Sequence, residues 1–239
     1  MTRILVIQFD PDKTGGRIEA GMHTAGAELV RVMASDPIPD AAAFDGLLVL
    51  PSLFDPVDDR PEVHGARAAI IAARAEGIPV LGVCLGGQLV AQTAGAEIYR
   101  SQPELGIHPV RTTPAAQDDP LLIGIPEAYD SFHAHAFAFR PVPEATVLIE
   151  SDACCQAMRI GDRTWAFQCH PEATLEWELG LADAIEYDYS TGVPENTAHF
   201  FREAGVQPDE LRRRAVELDE LHTEIGEGIG RRFVEVCGA

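Results

Sequence analysis

Three short apolar runs punctuate the first half of the chain: Ile4-Leu5-Val6-Ile7, Gly46-Leu47-Leu48-Val49-Leu50 and Pro79-Val80-Leu81-Gly82-Val83. None alternates with polar residues, and each is too short for a buried helix, so each predicts a strand covered on both faces. Between them the texture is helical. A helix is expected through 21–33. A second, Ala-rich one spans 63–76 with Arg67 and Arg74 spaced along it and Gly77 as its stop, and a third spans 85–94 and ends at Gly95. Strand alternating with helix predicts an α/β fold, a mostly parallel central sheet flanked by helices.

After Gly95 the pieces shorten and Pro and Gly interrupt them. Residues 110–113, 145–149, 156–160 and 164–168 read as strands of an antiparallel extension to that sheet. From Leu175 onward the pattern is helical. Leu211, Ala215, Leu218, Leu221, Ile225, Ile229 and Phe233 recur at three- and four-residue steps on one face, and Pro208 stands at the helix start, where its missing N–H costs nothing. No linker, repeat or low-complexity tract divides the chain. The expectation is one domain over 1–239, with 175–239 as helical C-terminal extension.

Composition narrows the partners. The 239 residues include 38 acidic and 18 basic ones, a formal charge of −20, which disfavours nucleic acid and anionic membrane surfaces. No run of apolar residues is long enough for a membrane span, and the run at 4–7 is too short for a secretion signal. The five cysteines are irregularly spaced with no CxxC pair, as expected of reduced thiols in a cytoplasmic protein. The solitary lysine, Lys13, reads as a matter of composition. With no GxxxxGK loop, no nucleotide site or other cofactor is expected.

The chemistry concentrates at Gly82-Val83-Cys84-Leu85-Gly86-Gly87-Gln88, a cysteine directly after a buried strand and directly before a helix. Small neighbours on both sides are what a nucleophile elbow needs, because strand and helix meet closely around a tight turn. The sulfur then projects at the carboxyl end of the sheet, where the positive end of the helix dipole favours a thiolate. The N–H of Leu85 is positioned to donate to an oxyanion. A base is offered by Gln168-Cys169-His170-Pro171-Glu172, with His170 to take the thiol proton and Glu172 to orient the ring.

Cys84-Leu85-Gly86-Gly87-Gln88 followed downstream by Gln168-Cys169-His170-Pro171-Glu172 resembles the class I glutamine amidotransferase family, especially its stand-alone members similar to the amidotransferase domain of GMP synthase. The resemblance implies a flavodoxin-like fold and hydrolysis of the glutamine side-chain amide through a γ-glutamyl thioester on Cys84. His170 matches the family's base and Glu172 its orienting acid. Leu85 and Gln88 match positions that hold the oxyanion and the glutamine. The implied partners are glutamine or a γ-glutamyl amide, together with a separate synthetase that accepts the ammonia. A γ-glutamyl conjugate hydrolase acting alone and a catalytically impaired binding protein on the same scaffold are the alternatives.

Two segments depart from the family pattern. Where relatives carry a glycine pair after the second strand, this chain has Pro51-Ser52. Pro51 has no N–H, so the second oxyanion donor falls to Ser52, to Leu53 or to a rearranged loop. Where relatives show His, Gly and Asp, this chain has His133, Ala134 and His135, in the segment that helps bind glutamine. Alternate residues of a strand share a face, so His133 and His135 are also a pair of metal-ligand type. No carboxylate or third ligand of clear spacing stands near them in sequence, and no metal is expected.

Overall fold

The computed structural model describes residues 1–191 and 204–239. Its elements run β1 (Arg3–Gln8), α1 (Gly16–Thr24), β2 (Glu28–Met33), β3 (Gly46–Val49), α2 (Pro61–Ala75), β4 (Val80–Val83) and α3 (Leu85–Thr93). They continue with β5 (Ile98–Thr112), β6 (Ala128–Phe139), β7 (Ala145–Glu150), β8 (Cys155–Ile160), β9 (Thr164–Phe167), α4 (Leu175–Thr191) and α5 (Pro208–Cys237). The nine strands form one sheet in the order β2-β1-β3-β4-β9-β8-β7-β5-β6. Pairing is parallel from β2 through β9 and antiparallel from β9 to β6, so the expected mixed α/β architecture is present.

The parallel strands bury both faces, which is why their sequences show no alternation. Ile4, Val6, Leu48 and Leu81 pack under α1 and α5, while Leu5, Ile7, Leu47 and Val80 pack under α2 and α3. The apolar stripe of α5 is inward-facing: Leu211, Ala215, Ile225, Ile229 and Phe233 are buried against this same molecule. A smaller core of Leu105, Phe132, Ala182, Ile185 and Leu211 joins α4 and α5 to the long hairpin of β5 and β6.

Two expectations need correction. The helix read through 21–33 stops at Thr24, Gly26 turns the chain with φ of +80°, and Glu28–Met33 forms β2. This strand is at the sheet edge with half-buried residues, so Glu28 and Arg31 dilute its apolar signal. The strand expected at 110–113 is the end of a fifteen-residue strand, β5. Pro103 and Pro109 conceal it in sequence. The first falls in the register shift between Arg100 and Glu104, where a missing N–H is tolerated. The helical pattern expected from Leu175 to the C terminus holds over α4 and α5, and its 192–203 portion lies outside the described residues. Among the described residues, no helix is long and apolar enough to cross a membrane.

Candidate active site

Parallel strands β3, β4 and β9 end at one edge of the sheet, and the residues that follow β4 and β9 converge there. Cys84 links β4 to α3 with φ of 51° and ψ of −110°, the sole non-glycine residue of positive φ among those described. That conformation costs of order 1–3 kcal/mol and is held by its surroundings. Cys84 N–H donates to the Phe167 carbonyl at 2.8 Å, and its carbonyl accepts from Gln88 N–H at 2.8 Å. Gly86 lets α3 approach β3, since a Cβ there would collide with the Val49 carbonyl oxygen. The thiol is 6% exposed at the start of α3, where first-turn N–H groups, that of Leu85 included, lack partners within the helix.

His170 comes from the loop after β9, beside this elbow. Its Nδ1 lies 2.7 Å from Glu172 Oε1, and because a carboxylate only accepts, Nδ1 carries the proton. Burial lowers the basicity of this ring, but the charges of Glu172 and Cys84 outweigh it, and the imidazole is pushed up to about 10. Its other nitrogen, Nε2, is buried without a hydrogen-bond partner, leaving it available to a thiol or a leaving group. The loop is fixed from outside. Gly16 and Arg17 open α1 against it, Arg17 N–H donates to the Glu172 carbonyl at 2.9 Å, and the Arg17 guanidinium bonds the Ala173 carbonyl, Glu178 and Asp219. A Cβ at Gly16, which has φ of +40°, would meet that same Glu172 carbonyl.

A cleft of about 560 Å³ opens beside Glu172, walled by Lys13, Gly16, Pro51, Thr174 and Trp177 among others. Lys13 carries no signal in the sequence, yet its Nζ lies 4.2 Å from the centre of the Trp177 ring. Burial lowers its basicity, against the opposing charges of Asp10, Glu172 and Cys84. The cleft therefore presents one cation near Glu172. No motif marks Lys13, and only the folding of the loop after β1 onto α4 brings it here.

The remaining sequence candidates are placed as follows. Gln88 is buried, its Nε2 donating to the Phe137 carbonyl at 3.1 Å and to Gln168 Oε1 at 3.2 Å. Gln168 Nε2 in turn lies 4.0 Å from Cys84 Sγ. Ser52 follows Pro51 at the cleft, and its hydroxyl accepts from Phe54 N–H at 3.2 Å. His133 and His135 are 0% and 4% exposed and form no part of the cleft wall. Their segment reaches the elbow through its main chain, with the Ala134 carbonyl 4.0 Å from Cys84 Sγ. The two imidazoles turn toward Glu104 of β5, whose Oε2 lies 3.2 Å from His135 Nε2 and 3.9 Å from His133 Nδ1. The carboxylate that sequence spacing does not supply is thus delivered by the pairing of β5 with β6, which sets Glu104 opposite His135.

The sequence profile of glutamine amidotransferase class I matches residues 17–178. The chain belongs to this family. It is 33% identical over 163 residues to the glutamine amidotransferase-like protein YfeJ of Salmonella typhimurium, a match covering 63% of this chain and 66% of YfeJ. It is 26% identical over 115 residues to one of the subunits of the glutamine-hydrolysing GMP synthase of Methanocaldococcus jannaschii, covering 47% of this chain and 60% of that one. The chain thus matches less than two thirds of the length of these relatives. Among solved structures, a glutamine amidotransferase from Methylobacillus flagellatus superposes with a TM-score of 0.84 at 22% identity, covering 99% of this chain and 95% of the other. That likeness shows the amidotransferase fold.

Proposed function

We propose that this amidotransferase hydrolyses the side-chain amide of glutamine, or of a related γ-glutamyl compound, and passes the ammonia to a separate synthetase. The observation that carries the reading is the strained cysteine at a helix N-terminus beside a buried His170–Glu172 pair at 2.7 Å. Cys84 Sγ, its proton already held by His170, attacks the amide carbon as a thiolate. The oxyanion is held by Leu85 N–H and by the main chain at Ser52, the first donor after Pro51. Collapse expels ammonia, which takes the proton from His170 and leaves a γ-glutamyl thioester. His170 then deprotonates a water that hydrolyses the thioester, releasing glutamate and restoring the thiol.

Glu172 holds Nδ1–H and balances the imidazolium throughout. Gln88 and Gln168 support the wall behind the thiol, and His133 and His135 act through the strand that sets the Ala134 carbonyl near Cys84. Lys13 supplies a cation for the carboxylate end of the substrate. Transfer of ammonia to a partner is supported by the relative that is named as one part of a glutamine-hydrolysing GMP synthase.

The test is glutamate release from glutamine and from a panel of γ-glutamyl amides, compared between the native chain and Cys84→Ala. Release from glutamine that Cys84→Ala abolishes is the expected result. Release from conjugates alone assigns a γ-glutamyl hydrolase instead. Equal inertness of both proteins, with Cys84 resisting a glutamine-analogue alkylator in the native chain, overturns the enzymatic reading.

A further inference from the structure

Beside the nucleophile but on another face of β6 lies a group of side chains that amide hydrolysis does not use. Glu104 on β5, with His133 and His135 on β6, each brings one potential ligand atom into a cluster in which all three lie within 4.8 Å of one another. All three residues are buried. The ring nitrogens of both histidines are buried with no well-formed hydrogen bond, although His135 Nε2 stands 3.2 Å from Glu104 Oε2. Four unsatisfied imidazole nitrogens around one carboxylate are costly in an interior unless something satisfies them.

We propose that Glu104, His133 and His135 form a binding site for a divalent transition cation of the zinc type. Two imidazoles and a carboxylate are a borderline N2O donor set, suited to zinc and its neighbours and poorly suited to calcium or magnesium. Ligand atoms about 2.0–2.2 Å from a tetrahedral ion stand roughly 3.3–3.6 Å apart, by the bond lengths zinc prefers. The distances of 3.2 Å and 3.9 Å from Glu104 Oε2 to His135 and His133 bracket that range, and the two imidazoles offer their ligand atoms within 4.8 Å of each other.

An outer shell is already built. Ser151 Oγ donates to Glu104 Oε1 at 3.0 Å and Gln156 Nε2 donates to Oε2 at 2.7 Å, fixing the carboxylate. The protein surface comes within one side chain of the cluster. A surface cleft of about 280 Å³ includes Ser151 and Cys154 in its wall, and both touch Glu104, with Cys154 Sγ 3.6 Å from Oε2. A cation entering there would lock β5 to β6 next to the residue whose carbonyl faces the nucleophile.

The experiment uses tag-free Cys84→Ala protein, so that the thiol of the amidase site offers no competing ligand and hydrolysis plays no part in the readout. Metal-stripped protein is titrated with Zn2+ against a chromophoric chelator, and bound metal is counted after gel filtration. One equivalent is expected, with a raised melting temperature. His135→Asn and Glu104→Gln, each added to that background, should bind more than about 100-fold more weakly, since loss of an outer-shell partner alone costs about 10- to 100-fold. X-ray absorption on the loaded Cys84→Ala protein covers the case in which those variants do not fold, with scattering from two imidazoles expected. No stoichiometric zinc, unchanged binding in the folded variants, or a spectrum without imidazole scattering would overturn the proposal. None of these outcomes bears on whether the native chain hydrolyses glutamine.

Discussion

His170 Nδ1 donates to Glu172 Oε1 at 2.7 Å, and the two residues are 3% and 1% exposed. Within that pair, burial alone would drive the imidazole below its ordinary value of 6.5, and the neighbouring charges instead lift it to about 10. The folded value lies above the unfolded one, so the stability this group contributes is complete below pH 6.5 and is lost as the pH rises through about 10.

Glu172→Gln removes the larger lifting charge and leaves burial opposed by Cys84 alone. The His170 titration followed by imidazole 15N NMR is then expected to fall well below its native value of about 10, toward 6.5. In parallel kcat/KM should drop about 10²- to 10⁴-fold, the range attributed to a positioned acid–base group. The stability gap between native chain and variant in urea should narrow as the pH is raised through about 10. A His170 that still titrates near its native value in the variant would show that Glu172 is not its source of basicity.

Cys84 adopts φ of 51°, where a Cβ is strained and glycine is not. Cys84→Gly and Cys84→Ala both remove the sulfur, so their difference reports the backbone together with one buried methyl. We expect the glycine variant to be the more stable by about 1 kcal/mol in equilibrium denaturation, strain relief exceeding the extra chain entropy. The reverse order would mean that the elbow is not strained.

Lys13 is the cation of the cleft, and any γ-glutamyl substrate carries a carboxylate. Lys13→Met keeps the stem on Trp177 and deletes the charge. KM for glutamine should rise about 3- to 10-fold, roughly 1 kcal/mol for a partly solvated ion pair, with kcat within about two-fold. A fall in kcat at constant KM would place Lys13 in the chemistry and not in binding.

Arg17 ties α1 to the Glu172 loop, to Glu178 at 2.9 Å and to Asp219 at 2.6 Å. Glu178 is wholly buried, so Arg17→Met leaves its carboxylate away from water with His222, 3.3 Å away, as its remaining partner. A loss of about 3–5 kcal/mol is expected in urea denaturation, partly recovered when Glu178→Gln is added. Additive losses in the double variant would show that the two side chains do not act as a pair.

Local sequence is sufficient for the interior strands and for the elbow. Unbroken apolar runs such as Ile4 to Ile7 have one stable use in an α/β sheet, burial on both faces. The order Gly82-Val83-Cys84-Leu85-Gly86 likewise admits few backbones, because strand and helix must nearly touch around the cysteine. His170 and Glu172 are legible for a similar reason, being two residues apart in one loop.

What the tertiary structure alone decides lies in contacts between distant segments. β2 is hidden because an edge strand is half solvated and has no continuous apolar signature, and β5 because Pro103 and Pro109 interrupt it, the first at its register shift. Lys13 reaches the cleft by packing across Trp177, a residue 164 positions away. Glu104 meets His133 and His135 through the register of an antiparallel pair, which no spacing along the chain encodes. Chemistry held within one turn can be read from sequence, whereas chemistry assembled across strands depends on a register set by the packing of the whole sheet.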